Sequence, residues 1–155
     1  MQIQLSPATL EWQQAVRNYV DTELIPWEVE AELNGGELPE GRLQHIHDQA
    51  IALGLSRIDA PASHGGLDKS MVDQVACWET LGRVTNALCW CFPEAQSWMY
   101  QACGNSPYQL ETYIQPLLAG RRREAYAITE AESGSHEVIA STAVAMGEDY
   151  LLNGE

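Results

Sequence analysis

Positive charge is scarce in this chain of 155 residues. Its eight lysines and arginines are outnumbered by 22 aspartates and glutamates, and the formal net charge is −14 at pH 7. A protein surface of this sign repels the phosphates of nucleic acids and the headgroups of anionic membranes. We therefore expect neither nucleic-acid binding nor attachment to an anionic membrane surface.

Long apolar runs and targeting signals are missing as well. No run approaches the ~18 apolar residues of a membrane-spanning helix, so no span is predicted. The chain lacks a secretory signal peptide, and its four cysteines lie in apolar, helix-like surroundings. Such a pattern is typical of free thiols in a reducing compartment, and we expect a cytoplasmic protein.

A metal site is not predicted either. One residue separates Cys89 from Cys91, whereas a zinc knuckle has two between its cysteines, and the histidines are scattered along the chain. We interpret the cysteines as small buried residues of the core.

Helical signals dominate the chain before residue 124. Apolar residues recur there at intervals of three and four, and residues that cap or break helices stand between the periodic segments. Five helices are predicted, over Ser6 to Pro26, Pro39 to Leu53, Lys69 to Gly82, Thr85 to Cys103 and Tyr108 to Leu118. We expect Pro26 to end or kink the first of them. The acidic segment from Trp27 to Leu38 is interpreted as a solvated helix end and loop.

Strand and turn signals replace the helical pattern after Tyr126. Tyr126 to Thr129 is a short strand candidate, and the small and polar residues that follow indicate a loop. A second strand is expected from Thr142 to Met146, and a turn at Gly147 leads into a third at Tyr150 to Leu152. The Asn153-Gly154 pair is a strong hairpin signal.

Several residues in this part of the chain follow one extended motif, an aromatic-Ala-x-Thr-Glu strand, a Gly-Ser loop and a hairpin ending in Leu-Asn-Gly. They are Tyr126, Thr129, Glu130, Gly134, Ser135, Thr142, Tyr150, Leu152, Asn153 and Gly154. Their types and spacing resemble the flavin-binding segment of the acyl-CoA dehydrogenase family. Ala131 and His136 depart from that pattern, since the family has Pro and Asp there. Upstream, the segments 61–67, 79–83 and 104–120 resemble further family motifs, so the resemblance covers nearly the whole chain.

The resemblance implies a mainly α fold, α+β overall. We expect an N-terminal helical domain over residues 1–123, a mostly antiparallel bundle of about five helices. Residues 124–155 would be the start of the flavin-binding β domain and would hold the first strands of an incomplete sheet. The strand ladder would then need partners from a C-terminal part or a second chain, and an oligomer is expected.

FAD is the cofactor that the resemblance implies, and its position assigns roles to individual residues. Tyr126, Ile128 and Thr129 would lie along the flavin, while Gly134 and Ser135 would reach its ribityl-pyrophosphate arm. The alternative is an ordinary turn between two strands, in which the hydroxyls of Thr129 and Ser135 satisfy local backbone groups.

An acyl thioester, carried by CoA or by a carrier protein, is the implied substrate. Ser135 would also touch its pantetheine, and the fourth helical segment would border the acyl pocket through Leu88, Cys91 and Ala95. The alternative for that segment is plain core packing, which aromatic and aliphatic stripes at helical spacing usually indicate.

No catalytic residue is assigned to this chain. In the family a carboxylate removes the α-proton of the thioester while the flavin takes a hydride from Cβ, and that carboxylate is a Glu of the C-terminal helical bundle. We therefore expect the N-terminal part or small chain of an acyl thioester dehydrogenase, active only with the missing part. Two alternatives stay open, a flavin monooxygenase component of the same fold and a non-catalytic domain that binds a partner.

Overall fold

The computed structural model describes residues 4–88, 106–124, 129–131 and 139–154. These residues belong to two compact units, Met1–Arg123 and Glu124–Glu155, and each unit is described here by itself. The fourth predicted helix lies outside the described residues from position 89 onwards.

Unit 1 is helical, and its helices fall close to the predicted positions. They are α1 (Pro7–Tyr19), α2 (Glu28–Leu33), α3 (Arg42–Ala52), α4 (Met71–Leu81) and α5, which comprises Pro107–Gln109, Leu110–Ile114 and Gln115–Leu118. Short 3-10 turns occur at Ile25–Trp27, Leu55–Arg57, Ala62–His64 and Asn86–Leu88. None of these described helices is long and apolar enough to cross a membrane.

Hydroxyl side chains begin two of the helices. Ser6 caps α1 by accepting a hydrogen bond from the Thr9 amide at 3.1 Å, as the sequence predicts. Ser70 and Asp73 form a reciprocal capping box at the start of α4. Each cap satisfies an amide that the first turn of a helix would otherwise leave unpaired.

Two prolines coincide with two widened helical turns. Val20–Leu24 and Leu110–Ile114 are π-helical, and the last wide hydrogen bond runs from the Ile25 amide to Val20 in one case and from the Gln115 amide to Leu110 in the other. Pro26 or Pro116 is the next residue each time. A proline ring collides with the carbonyl four residues earlier, and a wider turn moves that carbonyl away. The predicted break at Pro26 is confirmed.

The main core forms where α1, α3 and α4 meet. α3 runs antiparallel to α1, since the Trp12 indole donates to the Leu53 carbonyl at 3.3 Å and the Tyr19 hydroxyl to the Ile46 carbonyl at 3.2 Å. α4 runs parallel to α1, with Gln13 donating to the Ala76 carbonyl at 3.1 Å. This pair departs from a purely antiparallel bundle. The buried cluster is Val16, Tyr19, Val20, Leu24, Ala31, Ile46, Ala50, Leu55, Ile58, Cys77, Leu81 and Leu88.

A second, smaller cluster attaches α5 to unit 1. Ile114, Leu117 and Leu118 of α5 pack with Ala60. The buried Ser56 hydroxyl donates to the Leu118 carbonyl at 2.7 Å, so the end of α5 is also tied by a hydrogen bond.

The segment from Trp27 to Leu38, interpreted as a solvated helix end and loop, consists of the short helix α2 (Glu28–Leu33) followed by a turn and irregular residues. Only Ala31 of this helix is buried, while Val29 and Leu33 are exposed. A helix that buries one small residue has no apolar periodicity, so the sequence does not mark α2 as a separate helix.

Unit 2 contains a two-stranded antiparallel hairpin. β1 (Thr142–Met146) pairs with β2 (Asp149–Asn153), with Met146 opposite Asp149 at the turn. Gly147 makes the turn with φ at +72°. The strands predicted at Thr142 to Met146 and at Tyr150 to Leu152 are confirmed, and Gly147 reverses the chain between them as predicted. The first predicted strand lies outside the described residues except for Thr129, and the hairpin signal at Asn153-Gly154 stays a prediction.

Candidate functional site

Thr129 is the one residue of the predicted flavin-ring set that the structure describes. Its side chain is exposed, and its hydroxyl makes no hydrogen bond to any described residue. Most residues around Thr129 lie outside the described residues, so the alternative in which this hydroxyl satisfies a local backbone group stays open beside the flavin-binding role.

Glu130 closes the loop that follows Thr129. Its carboxylate accepts hydrogen bonds from the backbone amides of Ala140 at 2.6 Å and Ser141 at 2.8 Å. A side-chain hydrogen bond from Ser141, together with these amides, holds the pKa of Glu130 below its usual range. Both oxygens are engaged by donors, so this carboxylate is arranged to fix the loop and not to accept a proton.

The two ends of the hairpin meet closely. A Cβ added at Gly154 would lie 1.9 Å from the Ser141 hydroxyl oxygen, so a side chain there would have to displace Ser141. Ser141 is the residue whose amide Glu130 holds. The loop, the start of β1 and the end of β2 are thus packed at one place.

The hairpin exposes apolar side chains on both faces. Val144 and Leu151 form a cross-strand pair, and Tyr150 and Leu152 point to the opposite face. All four are at least half exposed in the structure. Strands that are apolar on both faces are typical of sheets that are covered on both sides.

Leu88 lies in unit 1 and is fully buried in the main core cluster. The turn that carries it is anchored from α2, since the Glu28 carboxylate accepts a hydrogen bond from the Thr85 amide at 2.8 Å. Sequence reasoning missed this anchor. Glu28 and Thr85 are 57 positions apart, and the sequence of the acidic segment around Glu28 does not indicate which residue it contacts.

The remaining predicted site residues lie outside the described residues. These are Tyr126, Ile128, Gly134 and Ser135 of the flavin segment and Cys91 and Ala95 of the acyl-pocket segment. Their roles stay predictions, as does that of Leu88. Of the predicted residues that the structure describes, Thr129 belongs to unit 2 and Leu88 to unit 1.

The described residues of unit 2 fit the binding of a flavin in one respect. Thr129 has an exposed hydroxyl with no hydrogen-bond partner among the described residues, and it lies next to a carboxylate that is tied to Ala140 and Ser141. Such a hydroxyl suits a ligand with carbonyl and ring-nitrogen acceptors. Thr129 would donate to such an acceptor, and Glu130 would hold the loop in place beside it.

Among the residues that the structure describes, no group of three or more His, Cys, Asp or Glu side chains is arranged to bind a metal ion. Cys77 is a free, buried thiol, and burial raises its pKa to about 12. This cysteine is a core residue, as the sequence predicts.

Comparison with known proteins gives consistent matches. Residues 6–121 match the family model described as acyl-CoA dehydrogenase, N-terminal domain. The chain is 30% identical over 141 residues to subunit CarC of the caffeyl-CoA reductase-Etf complex of Acetobacterium woodii, a match that covers 89% of this chain and 36% of that protein.

Solved structures give the same fold. A protein of Mycobacterium smegmatis assigned as an acyl-CoA dehydrogenase superposes with a TM-score of 0.77 at 26% identity, over 97% of this chain and 39% of that one. A chain of the ChsE4-ChsE5 complex of Mycobacterium tuberculosis superposes with a TM-score of 0.74 at 22% identity, over 99% of this chain and 39% of that one. The chain thus spans well under half the length of these relatives.

Proposed function

The chain belongs to the acyl-CoA dehydrogenase family, and on that premise we propose that it is the N-terminal part or small chain of a flavin-dependent acyl thioester dehydrogenase. It would contribute to the binding of FAD and of an acyl thioester carried by CoA or by a carrier protein. The catalytic carboxylate would come from another part or another chain. A cytoplasmic location belongs to this proposal and rests on the argument from the cysteines.

The arrangement of Thr129 and Glu130 carries the proposal. The Thr129 hydroxyl is exposed without a hydrogen-bond partner among the described residues, and Glu130 fixes the loop behind it through two amides. FAD would supply the hydride acceptor when bound. Thr129 would orient the ring through one hydrogen bond, while Glu130 would act on the loop and not on the substrate.

A completing chain or segment is supported by the hairpin. Val144, Leu151 and Leu152 are exposed apolar side chains on a sheet that has two strands among the described residues. Strands from a partner would pair with the open edges and cover these side chains. The similarity to a subunit of a complex is consistent with such a partner.

Flavin content and bleaching test the proposal. The protein would be purified with its natural partner and, separately, as the isolated chain, and both would be mixed with a panel of acyl-CoA thioesters. We expect flavin absorbance in the assembled protein, loss of that absorbance when a suitable thioester is added, and no dehydrogenation by the isolated chain.

Each other outcome decides between the alternatives. A monooxygenase would show two results: no acyl thioester would bleach the flavin, and the reduced flavin would react with oxygen and insert one oxygen atom into the substrate. These results would contradict a dehydrogenase. An assembled protein without flavin would leave a partner-binding domain. Dehydrogenation by the isolated chain would contradict the assignment of the base to another part.

A further inference from the structure

A cleft of about 330 Å³ opens in unit 1 between α3, the 62–65 loop and the end of α5. Ile51, Leu118 and Ala119 give it an apolar lining, and Arg57 and His64 are the charged or titratable side chains on its wall. All of these residues belong to Met1–Arg123, and none belongs to the candidate flavin site.

Two nitrogen-bearing side chains in the cleft have unused hydrogen-bonding capacity. The Nδ1 atom of His64 is buried and has no hydrogen-bond partner among the described residues. Arg57 donates from one Nη to the Gly65 carbonyl at 3.3 Å, and this is the only hydrogen bond of its guanidinium to the described residues. A guanidinium has five donors, so most of them remain available.

Arg57 is the arginine on the wall of this cleft, and Arg121, Arg122 and Arg123 follow in sequence after α5, whose end lines it. None of these four lies within salt-bridge distance of a carboxylate in the described part of the chain, whereas Arg42 and Arg83 are paired with Glu23 and Asp21. In a chain with 22 acidic residues, an arginine on a cleft wall with no acidic partner among the described residues is unexpected.

One of these arginines connects to the cleft through α3. Arg123 lies 3.4 Å from the Nδ1 atom of His47, and His47 is one helical turn before Ile51. Burial and the neighbouring Arg123 charge hold the pKa of His47 below its usual range.

We propose that this cleft binds a small carboxylate with a short aliphatic chain. Arg57 would hold the carboxylate through its free guanidinium donors, because carboxylate matches the fork of that group. The His64 ring would form part of the wall beside the bound carboxylate. The aliphatic chain would cover Ile51, Leu118 and Ala119, which an inorganic anion would leave exposed to water.

Calorimetric titration of the 155-residue chain tests the proposal with three probes of different chemistry. Hexanoate combines both features, hexanol has only the aliphatic chain, and inorganic phosphate has only the charge. We expect saturable binding of hexanoate, and hexanol and phosphate each binding about ten-fold more weakly or not at all. The ring-proton signals of His64 should shift with the same saturation curve.

Arg57→Gln should weaken hexanoate binding by about ten-fold, because a charge-assisted hydrogen bond is lost. Arg17→Gln is the matched control, since Arg17 is exposed on α1 and its removal changes the net charge equally. The control should bind hexanoate as the parent chain does.

Several results would overturn the proposal. Phosphate binding as tight as hexanoate binding would mean an adventitious ion site, and hexanol binding as tight as hexanoate binding would mean an apolar surface alone. Absence of saturation by hexanoate in the parent chain, or equal weakening by the two arginine variants, would contradict it as well. The parent-chain titrations decide even if Arg57→Gln does not fold.

Discussion

Glu130 accepts a hydrogen bond of 2.8 Å from the backbone amide of Ser141, eleven residues further along the chain. The contact ties the loop after the candidate flavin strand to the start of β1, and a second bond from the Ala140 amide strengthens it. We therefore expect Glu130 to position this segment, and a change of Glu130 to affect flavin binding only through it.

Glu130→Gln should weaken this closure while leaving chemistry largely intact in the assembled enzyme. A Gln side chain has one acceptor oxygen in place of two, so one of the two amides loses its partner. We expect faster hydrogen exchange at Ala140 and Ser141, a weaker hold on flavin, and turnover close to that of the parent enzyme once flavin is saturating.

Glu148→Gln is the matched control, because Glu148 lies in the hairpin turn and accepts no hydrogen bond from the described residues. A large loss of turnover by Glu130→Gln with flavin fully bound would assign Glu130 to the chemistry and contradict the positioning role.

The hairpin should be the least protected regular structure in the isolated chain. Among the described residues β1 and β2 pair only with each other, and their apolar side chains are exposed on both faces, so little stabilises them against local opening. Hydrogen exchange should be fast over residues 142–153 and slow in α1 and α3. Addition of the completing partner should slow exchange in the hairpin. Equal protection of hairpin and helices in the isolated monomer would rule out an incomplete domain.

The sequence predicts those parts of the fold that depend on neighbouring residues. Ser6 and Pro26 mark a helix start and a helix break locally, and Gly147 supplies a positive φ that few other residues tolerate. The contacts that join distant segments could not be predicted in this way. Ser56 donates a hydrogen bond to Leu118, which is 62 positions away, and the local sequence around either residue does not indicate the other as its partner.

The candidate site divides along the same line. Thr129 and Glu130 are part of a contiguous motif, and that motif predicts that both belong to the flavin-binding segment. The hydrogen bonds of Glu130 with Ala140 and Ser141 could not be predicted, because they involve backbone amides, which almost every residue type has.

The contact between Thr9 and Asp73 should contribute measurably to the stability of unit 1. The buried Thr9 hydroxyl donates to the Asp73 carboxylate, joining the first turns of α1 and α4. Thr9→Val removes the donor, and we expect a loss of about 1 to 2 kcal/mol in the free energy of unfolding. Urea unfolding measures this difference.

Thr22→Val is the control for that substitution. Thr22 is exposed, and its hydroxyl donates to the Asn18 carbonyl within the same helical segment, so its loss should cost less. If the two variants lost equal stability, the contact between α1 and α4 would have no special weight.

Acid should destabilise unit 1 in part through Glu23. Partial burial opposes ionisation of this carboxyl, but hydrogen bonding by His45 and the charge of Arg42 outweigh it and lower its pKa from 4.5. A carboxyl with a lower pKa in the folded state stabilises that state above pH 4.5, and the contribution is lost as the pH falls through the folded pKa. Glu23→Gln should therefore lower the melting temperature near neutral pH and flatten its fall below pH 4.5.

Glu11→Gln is a suitable comparison, because Glu11 is exposed and forms no ion pair with described residues. Its melting curve should follow the parent curve over the whole pH range. If Glu23→Gln did the same, the group formed by Glu23, Arg42 and His45 would not contribute to acid stability.

Thr129 and Ser135 give the most direct test of the candidate flavin site. If the Thr129 hydroxyl bonds the flavin ring, Thr129→Val in the assembled protein leaves a buried acceptor unpaired at a cost of roughly 1 to 3 kcal/mol. Flavin affinity should then fall by about ten-fold or more, or the flavin spectrum should shift. Ser135→Ala should act more on thioester affinity.

Thr22→Val, an equivalent change at an exposed position of unit 1 outside the motif, should alter neither flavin affinity nor thioester affinity. Flavin and thioester titrations, read beside melting temperatures, separate a binding role from a structural one, because a structural role lowers stability without changing affinity. Unchanged affinities in both Thr129→Val and Ser135→Ala would remove the flavin site from this segment.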